Sequence, residues 1–333
     1  MSIRIGINGF GRIGRAIFRA SLSDPLYQDL HIVAINDLSA PEILTHLFRF
    51  DSFIGPWKGE SCLQGNVLAL ANRSCHFLSE PQPGAIPWHR HEVDVVIEST
   101  GRFANLNDAS SHLRGGARRV VISAPAKGEA KTLVMGINEH EYDPDRDRVV
   151  SNASCTTHCL AHPARVILDH FGIRRGLLTT IHSYTADQRL LDAPHNDLRR
   201  ARSAATSIIP TTTGAAAAIG LVIPELAGCF DGMSVRVPVA NVSLVDMVLE
   251  VEKSTTTDAL NEVLQAAQTR YMGFSNLPLV SSDYREESRS GVVDGLSTRV
   301  IDTTVKVLTW YNNEWAYAHR VLDLILHMHS MEI

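Results

Sequence analysis

The chain is short of several things that define easily recognised protein classes. It has no long apolar run: the alanine-rich stretch 214–223 is too short to span a bilayer, so no membrane-spanning helix is expected. Its five cysteines, at 62, 75, 155, 159 and 229, are odd in number and scattered, which fits a reducing compartment better than a disulfide framework. Basic residues are not in excess. Thirty-one Lys and Arg against 36 Asp and Glu leave a formal charge of −5, with no overall field to draw in nucleic acid or an acidic membrane. There is no internal repeat or low-complexity segment, and the opening residues enter a strand rather than a signal-peptide layout. A cytoplasmic protein is expected, requiring neither nucleic acid nor membrane. What remains is ordinary globular composition, 44% apolar over 333 residues, enough for about two domains.

The first chemistry-bearing unit lies at the start. Ser2–Asn8 alternates as a strand and runs into Gly9-Phe10-Gly11-Arg12-Ile13-Gly14. A helical pattern follows, with Ile13, Ile17, Ala20 and Ser21 on one face and Arg15, Arg19 and Ser23 on the other. A second strand, 31–36, ends in Asp37. Gly9 permits the tight turn, Gly11 lets a pyrophosphate approach the backbone, Gly14 brings helix and strand together, and the helix N-terminus binds the anion. Asp37 stands where a carboxylate accepts hydrogen bonds from the ribose hydroxyls of NAD. A glycine pattern alone is weak evidence. Strand, helix, second strand and terminal acid together point to dinucleotide binding.

The second unit is Ser151-Asn-Ala-Ser-Cys155-Thr-Thr157 with His182-Ser-Tyr-Thr185 downstream. An isolated cysteine usually packs as a small hydrophobe. Cys155, however, opens a helical run expected from about Ser154 to Phe171, where unpaired N–H groups and the helix field favour thiolate. His182 can exchange protons with whatever the sulfur attacks. Beside a nicotinamide, such a thiol can add to an aldehyde, pass on hydride and be left as a thioester.

Anion chemistry appears further on. Thr211-Thr212-Thr213-Gly214 precedes a helical run expected over 215–226 and offers hydroxyls and N–H groups to a phosphate, although a plain threonine N-cap would look the same. Arg236 lies in an apolar strand, where a buried cation needs an anion. Cys155, His158, Cys159 and His162 share one helix face, but one helix cannot readily wrap a metal tetrahedrally, so no metal is expected.

Together these segments resemble phosphorylating glyceraldehyde-3-phosphate dehydrogenases. The resemblance rests on Gly-Ile-Asn-Gly-Phe-Gly-Arg-Ile-Gly-Arg at 6–15, Glu-Ser-Thr-Gly-Arg-Phe at 98–103, Ile-Ser-Ala-Pro-Ala-Lys at 122–127 and the cysteine segment at 151–157. It continues with His-Ser-Tyr-Thr-Ala-Asp-Gln-Arg at 182–189, Ser-Ile-Ile-Pro-Thr-Thr-Thr-Gly at 207–214, Val-Arg-Val-Pro at 235–238 and Trp-Tyr-Asn-Asn-Glu at 310–314. These run in family order from end to end. The fold class expected is α/β: an N-terminal Rossmann domain with a doubly wound parallel sheet, then an α+β catalytic domain with a mixed, largely antiparallel sheet. The boundaries expected are 1–153, completed by a C-terminal helix in 317–333, and 154–316.

The resemblance also implies roles. Cys155 would be the nucleophile and His182 its base, acting on glyceraldehyde 3-phosphate and inorganic phosphate with NAD. Arg12, Ile13, Asp37 and Ser123 would touch the cofactor, and Asn313 and Tyr317 would hold its nicotinamide. Arg236, Thr185 and Asp187 would bind the substrate phosphate; Ser154, Thr156, Thr213 and Gly214 would bind inorganic phosphate. Arg200, or its neighbour Arg199, would reach an anion. A homotetramer with 183–206 at its contacts is implied. The chain departs from the family at Phe53–Trp57, at His158 to Pro163, where the proline falls one residue later, and at Trp315. Erythrose-4-phosphate dehydrogenase, a relative that shares the tryptophan, is the alternative enzyme. A noncatalytic nucleic-acid or protein binder is the alternative of another kind.

Overall fold

The computed structural model describes residues 2–71 and 73–332. The chain forms two compact units, one comprising Met1–Leu133, Glu139–Ala153 and Ala318–Ile333, the other Val134–Asn138 and Ser154–Tyr317.

In the first unit the described residues form a nine-stranded sheet. From one edge it runs Lys131–Thr132, Val149–Ser151, Arg119–Ile122, Val95–Glu98, Ile3–Asn8, Leu30–Asn36 and Arg73–Leu78, all parallel. Val67–Leu70 and Cys62–Gln64 extend the far edge as an antiparallel hairpin, turned at Gly65 with φ +58°. The sheet is thus doubly wound with an antiparallel edge that the sequence reading did not include. Its strands are continuously apolar because both faces are covered: Ile5, Ile7, Ile35, Val96, Ile97 and Val121 are fully buried. The chain starts in the middle and adds Leu30–Asn36 on one side and Val95–Glu98 on the other, so a topological switch point falls beside Ile3–Asn8.

Polar side chains tie the carboxyl ends of these strands together. Glu80 N donates to Asn36 Oδ1 at 2.8 Å, Asn36 Nδ2 to Asn8 Oδ1 at 2.8 Å, and Asn8 Nδ2 to Glu98 Oε2 at 2.6 Å. Trp88 Nε1 donates to His112 Nδ1 at 3.1 Å, which leaves Nε2–H of a neutral His112 to donate to Glu98 at 3.0 Å. Every polar end in this buried row is used. That makes the floor beneath the glycine turn rigid.

The helix Arg12–Ser23 buries Ala16, Ile17, Phe18 and Ala20, but also Arg19, expected on its outer face. Arg19 is 3% exposed because backbone carbonyls take its donors: Nε and Nη2 bond Phe48 O, and Nη1 bonds Gly55 O at 2.7 Å. The helix Trp315–Ser330 lies largely in this unit, where Tyr27 donates to Asp323 Oδ1 at 3.0 Å and Asp323 pairs with Arg320 at 2.8 Å.

The second unit is built on an eight-stranded sheet ordered Ile209–Thr212, Phe230–Val237, Arg175–Ser183, Ser243–Glu250, Thr304–Tyr311, Gly291–Asp294 and Met272–Ser275, with Arg299–Ile301 also on Thr304–Tyr311. Only two of its pairings are parallel, Arg175–Ser183 with Phe230–Val237 and Met272–Ser275 with Gly291–Asp294. The helix Cys155–Phe171 packs an almost continuously buried length, including Cys159, Leu160, Ala161 and Ala164. Pro163 lies inside it, where the missing N–H leaves the Cys159 carbonyl without its helical donor. The helix expected over 215–226 stops at Val222, because Pro224 holds the preceding Ile223 out of helical conformation; Pro224–Leu226 is a separate 3-10 turn. Val134–Asn138 belongs here because Gly136, at φ +81°, packs so closely that a Cβ would lie 2.5 Å from Tyr271 and 3.0 Å from His162.

Candidate active site

Three chain segments place the reactive groups of the second unit. Ser154 caps the helix, its Oγ accepting from Thr157 N at 3.1 Å, which sets Cys155 at the first helical position. His182 is near the end of its strand, and parallel register puts Arg236 directly beside it. The Cys155 sulfur lies 3.9 Å from His182 Nε2. On the other side of the ring, Nδ1 is 2.7 Å from Ser183 O and 2.6 Å from Arg236 Nη1, and Nη1 also donates to Ser183 O at 3.0 Å. A neutral ring can serve only one Nδ1 neighbour at a time. Donation to Ser183 O leaves an Nε2 lone pair facing the sulfur; acceptance from Arg236 leaves Nε2–H there.

The charges differ from expectation. Burial pushes the Cys155 thiol above its usual range, with Arg236 and the first-turn hydrogen bonds pulling it back only in part. Burial, followed by the Arg236 charge, holds His182 down to about 3. Burial thus opposes the thiolate that the helix start favours, and it disfavours the charged form of His182. His182 is buried and Cys155 half-buried, so desolvation acts against the charged form of each.

Sequence reasoning did not single out Tyr311, which braces the site. Its hydroxyl shares hydrogen bonds of 2.9 Å with Thr156 and with Thr180, and its ring meets His182 edge to face at 6.0 Å. Its sequence signal was its place in the Trp-Tyr-Asn-Asn-Glu segment at 310–314. Tyr311→Phe strands two buried threonine hydroxyls and is expected to cost on the order of 1–3 kcal/mol, measured by urea unfolding; unchanged stability would remove Tyr311 from this bracing role.

Near Arg236 lies a charged cluster. Arg200 donates to Asp187 Oδ2 at 2.8 Å and to Thr211 Oγ1 at 3.0 Å, while Thr211 donates to Asp197 at 2.6 Å. Arg236 feels the charges of Cys155, Arg200 and Asp187, and its Nε is buried without a hydrogen-bond partner. Arg199 instead donates to Pro210 O at 3.3 Å, so Arg200 is the one drawn into the cluster. Thr185 is half-buried two residues before Asp187. Thr213 Oγ1 accepts from Ala215 N at 3.2 Å, and a Cβ on Gly214 would meet nothing within 4 Å, so the start of this helix is open.

Asn313 has its amide oxygen fixed by Ser183 Oγ at 3.0 Å and Ser243 Oγ at 3.4 Å, which leaves its NH₂ to donate elsewhere. Tyr317 meets His158 edge to face at 5.9 Å. His158 also reaches Ser154 O at 3.1 Å, and His162 stacks on Tyr271.

In the first unit the three glycines divide their tasks as expected. Gly9 sits at φ +93°, where a Cβ would strike Thr100 N at 2.7 Å; a Cβ on Gly14 would strike Gly9 O at 2.3 Å. A Cβ on Gly11 would meet nothing within 4 Å, and this residue caps the helix without a side chain, so the approach to the helix start at Gly11 is open. That is room for a pyrophosphate. The Arg12 side chain is turned to Asp51 at 3.1 Å and lies over the Phe53 ring. Asp37 accepts from Phe10 N at 2.8 Å and Ser39 N at 2.9 Å, and lines a cleft of about 280 Å³ with Gly9, Gly11 and Asn36. Ser123 donates to Glu98 O at 3.0 Å at the neighbouring strand end.

A parallel-sheet unit with this glycine cradle, joined to a unit presenting cysteine, histidine and converging arginines, defines an oxidoreductase that uses a nicotinamide dinucleotide and a covalent thiol. Comparison with known proteins narrows it. Residues 3–106 match the family "glyceraldehyde 3-phosphate dehydrogenase, NAD binding domain" and residues 154–313 its C-terminal domain. The glyceraldehyde-3-phosphate dehydrogenase of Geobacillus stearothermophilus is 51% identical over 335 residues, 99% of each chain. Glyceraldehyde-3-phosphate dehydrogenase 1 of Bacillus cereus is 48% identical over 98% of each chain, and its namesake in Bacillus subtilis 48% over 97%. The chain belongs to the glyceraldehyde-3-phosphate dehydrogenase family.

Proposed function

We propose that this protein oxidises D-glyceraldehyde 3-phosphate to 1,3-bisphosphoglycerate, using NAD and inorganic phosphate, through Cys155. The observation that carries this reading is the Cys155 sulfur 3.9 Å from His182 Nε2, with Arg236 in register beside the histidine. Bound NAD supplies the hydride acceptor. Gly9, Gly11, Gly14 and the N–H groups of Arg12 and Ile13 would hold its pyrophosphate, Asp37 its ribose and Ser123 the neighbouring surface. Asn313, through its free NH₂, and Tyr317 would hold the nicotinamide.

The substrate phosphate engages Arg236, Thr185 and the Asp187–Arg200 pair. Drawing the guanidinium onto an anion frees His182 Nδ1 to donate to Ser183 O, so Nε2 becomes the base. The sulfur then forms a bond to the aldehyde carbon while His182 takes the thiol proton and passes it to the former carbonyl oxygen, giving the hemithioacetal hydroxyl and a neutral His182. As hydride leaves that carbon, His182 accepts the hydroxyl proton of the hemithioacetal, and the carbon remains as a thioester on Cys155. The Cys155 N–H and protonated His182 stabilise the oxyanion. Inorganic phosphate, held by Ser154, Thr156, Thr213 and Gly214, attacks the thioester; the C–S bond breaks and the sulfur is released.

Steady-state assays with glyceraldehyde 3-phosphate and erythrose 4-phosphate, each with and without phosphate, test the reading. Phosphate-dependent turnover with higher kcat/KM for the three-carbon aldehyde supports it; the reverse preference assigns the erythrose 4-phosphate reaction. NAD is expected to be preferred to NADP, because Asp37 repels a 2′-phosphate and Leu38 offers it no hydrogen bond. Asp37→Ala should move the kcat/KM ratio toward NADP by roughly tenfold or more. A wild-type preference for NADP overturns this role of Asp37.

The assembly we infer is a homotetramer using 183–206. Leu190, Leu191 and Leu198 are 74–82% exposed, an apolar surface that a partner subunit would cover. Sedimentation equilibrium measures it. A cytoplasmic location is supported by five free cysteines. Among the described residues, no helix is long and apolar enough to cross a membrane.

A further inference from the structure

The parallel sheet of the first unit has a second cavity at the opposite ends of its strands from the glycine turn. It encloses about 320 Å³ and is lined by Arg4, His31, Arg73, His76, Arg90 and His91. Arg4 and His31 are neighbours in register near the starts of Ile3–Asn8 and Leu30–Asn36, Arg73 begins the next strand, and Arg90 and His91 end the 3-10 turn Trp88–His91. Among the described residues no carboxylate lines it.

Backbone carbonyls rather than acids anchor two of its guanidiniums. Arg4 Nε and Nη2 donate to His91 O at 3.1 and 3.0 Å; Arg73 Nη1 and Nη2 donate to Leu30 O at 3.0 Å and Gln28 O at 2.7 Å. The acids nearby are committed or remote. Glu92 is 3.7 Å from Arg4 but 80% exposed, so water screens the pair. Asp94 accepts the Arg4 backbone N–H at 2.9 Å and faces Arg118 at 3.6 Å, and Asp29 acts on Arg73 only through its field. The rings of His76 and His91 lie 4.8 Å apart. Burial first, then the charges of His76, Arg4, Arg90 and His89, hold His91 below the ordinary imidazole range. Positive charge is thus concentrated and held in place, in a chain whose formal charge is −5. Three guanidiniums and three imidazoles exceed what one phosphate group can engage.

We propose that this cavity binds a compact polyanion of two or three linked phosphate groups, free or carried by a nucleotide, at a site separate from the redox centre. Such a ligand favours the protonated form of His91, which burial and the neighbouring cations otherwise disfavour, so it binds more tightly as pH falls from 8 to 6.5.

Calorimetric titration of the full-length protein, with NAD and inorganic phosphate saturating the redox centre, tests this with tripolyphosphate and with ATP. One ligand per chain is expected, tighter at pH 6.5 than at pH 8. Arg90→Glu with His76→Gln should weaken it at least tenfold while kcat/KM for the aldehyde stays within twofold of wild type. The single variant Arg90→Glu, on an exposed turn, provides the same reading if the double variant folds poorly. Equal affinity for the two ligands assigns a site that reads phosphates alone; tighter ATP assigns a nucleotide. Absence of saturable binding, or unchanged affinity in the variants, overturns the proposal.

Discussion

Cys155→Ser is expected to reduce dehydrogenase turnover by several orders of magnitude while NAD binds near its wild-type affinity. A hydroxyl in place of the thiol nearly preserves size, and the cap from Ser154 Oγ to Thr157 N does not involve it, so the local backbone should persist. Nucleophilicity does not persist, because the serine hydroxyl ionises far less readily than a thiol. Equimolar iodoacetate should label Cys155 ahead of Cys62 and Cys229, since the reagent's carboxylate is drawn to Arg236. Cys75 and Cys159 are buried with their thiols pushed well up, and should react last. Peptide mass spectrometry with parallel activity measurement gives the answer. Full activity after stoichiometric labelling of Cys155 would rule out the covalent route.

His182→Asn should slow the first burst of NADH on the order of 10²–10⁴-fold, the usual contribution of a positioned proton acceptor. Burial holds this histidine down to about 3, so it is neutral at pH 7 and contributes as a base rather than as a cation beside the sulfur. Alkylation of Cys155 by iodoacetamide in the free enzyme should therefore change much less than the burst. The thiol is held above its usual range, so in wild type and variant alike alkylation should keep accelerating as pH rises from 6 to 8. Rapid mixing followed at the NADH absorbance, beside alkylation at several pH values, separates the two roles. An unchanged burst would remove His182 from the chemistry; a matching loss of alkylation would restore the ion pair.

Much of the fold was legible locally. The opening strand, the glycine turn and the acid after the second strand each carry their signal within a few residues, and all stand where expected. The long strands Arg175–Ser183 and Thr304–Tyr311 also carry a local signal, an alternation that reflects one buried and one more open face. Misreadings came where a distant group changed a residue's environment. Arg19 looked like a surface residue until the carbonyls of Phe48 and Gly55 offered it a buried seat. At Cys155 the helix start favours thiolate, while burial by distant parts of the chain acts the other way.

The sequence by itself determined the elements and their chemistry: a dinucleotide turn, a cysteine opening a helix, a histidine and an arginine in two apolar strands. Composition, periodicity and turn residues act over short stretches of chain, so they can be read without coordinates. Only the tertiary structure decided which groups meet. Arg236 reaches His182 across 54 residues because two strands pair in one parallel register, and Tyr311 reaches Thr156 across 155. The basic cavity, likewise, exists only because separate strands begin side by side. Register between distant strands arises from packing the whole core, and no local window of sequence contains it.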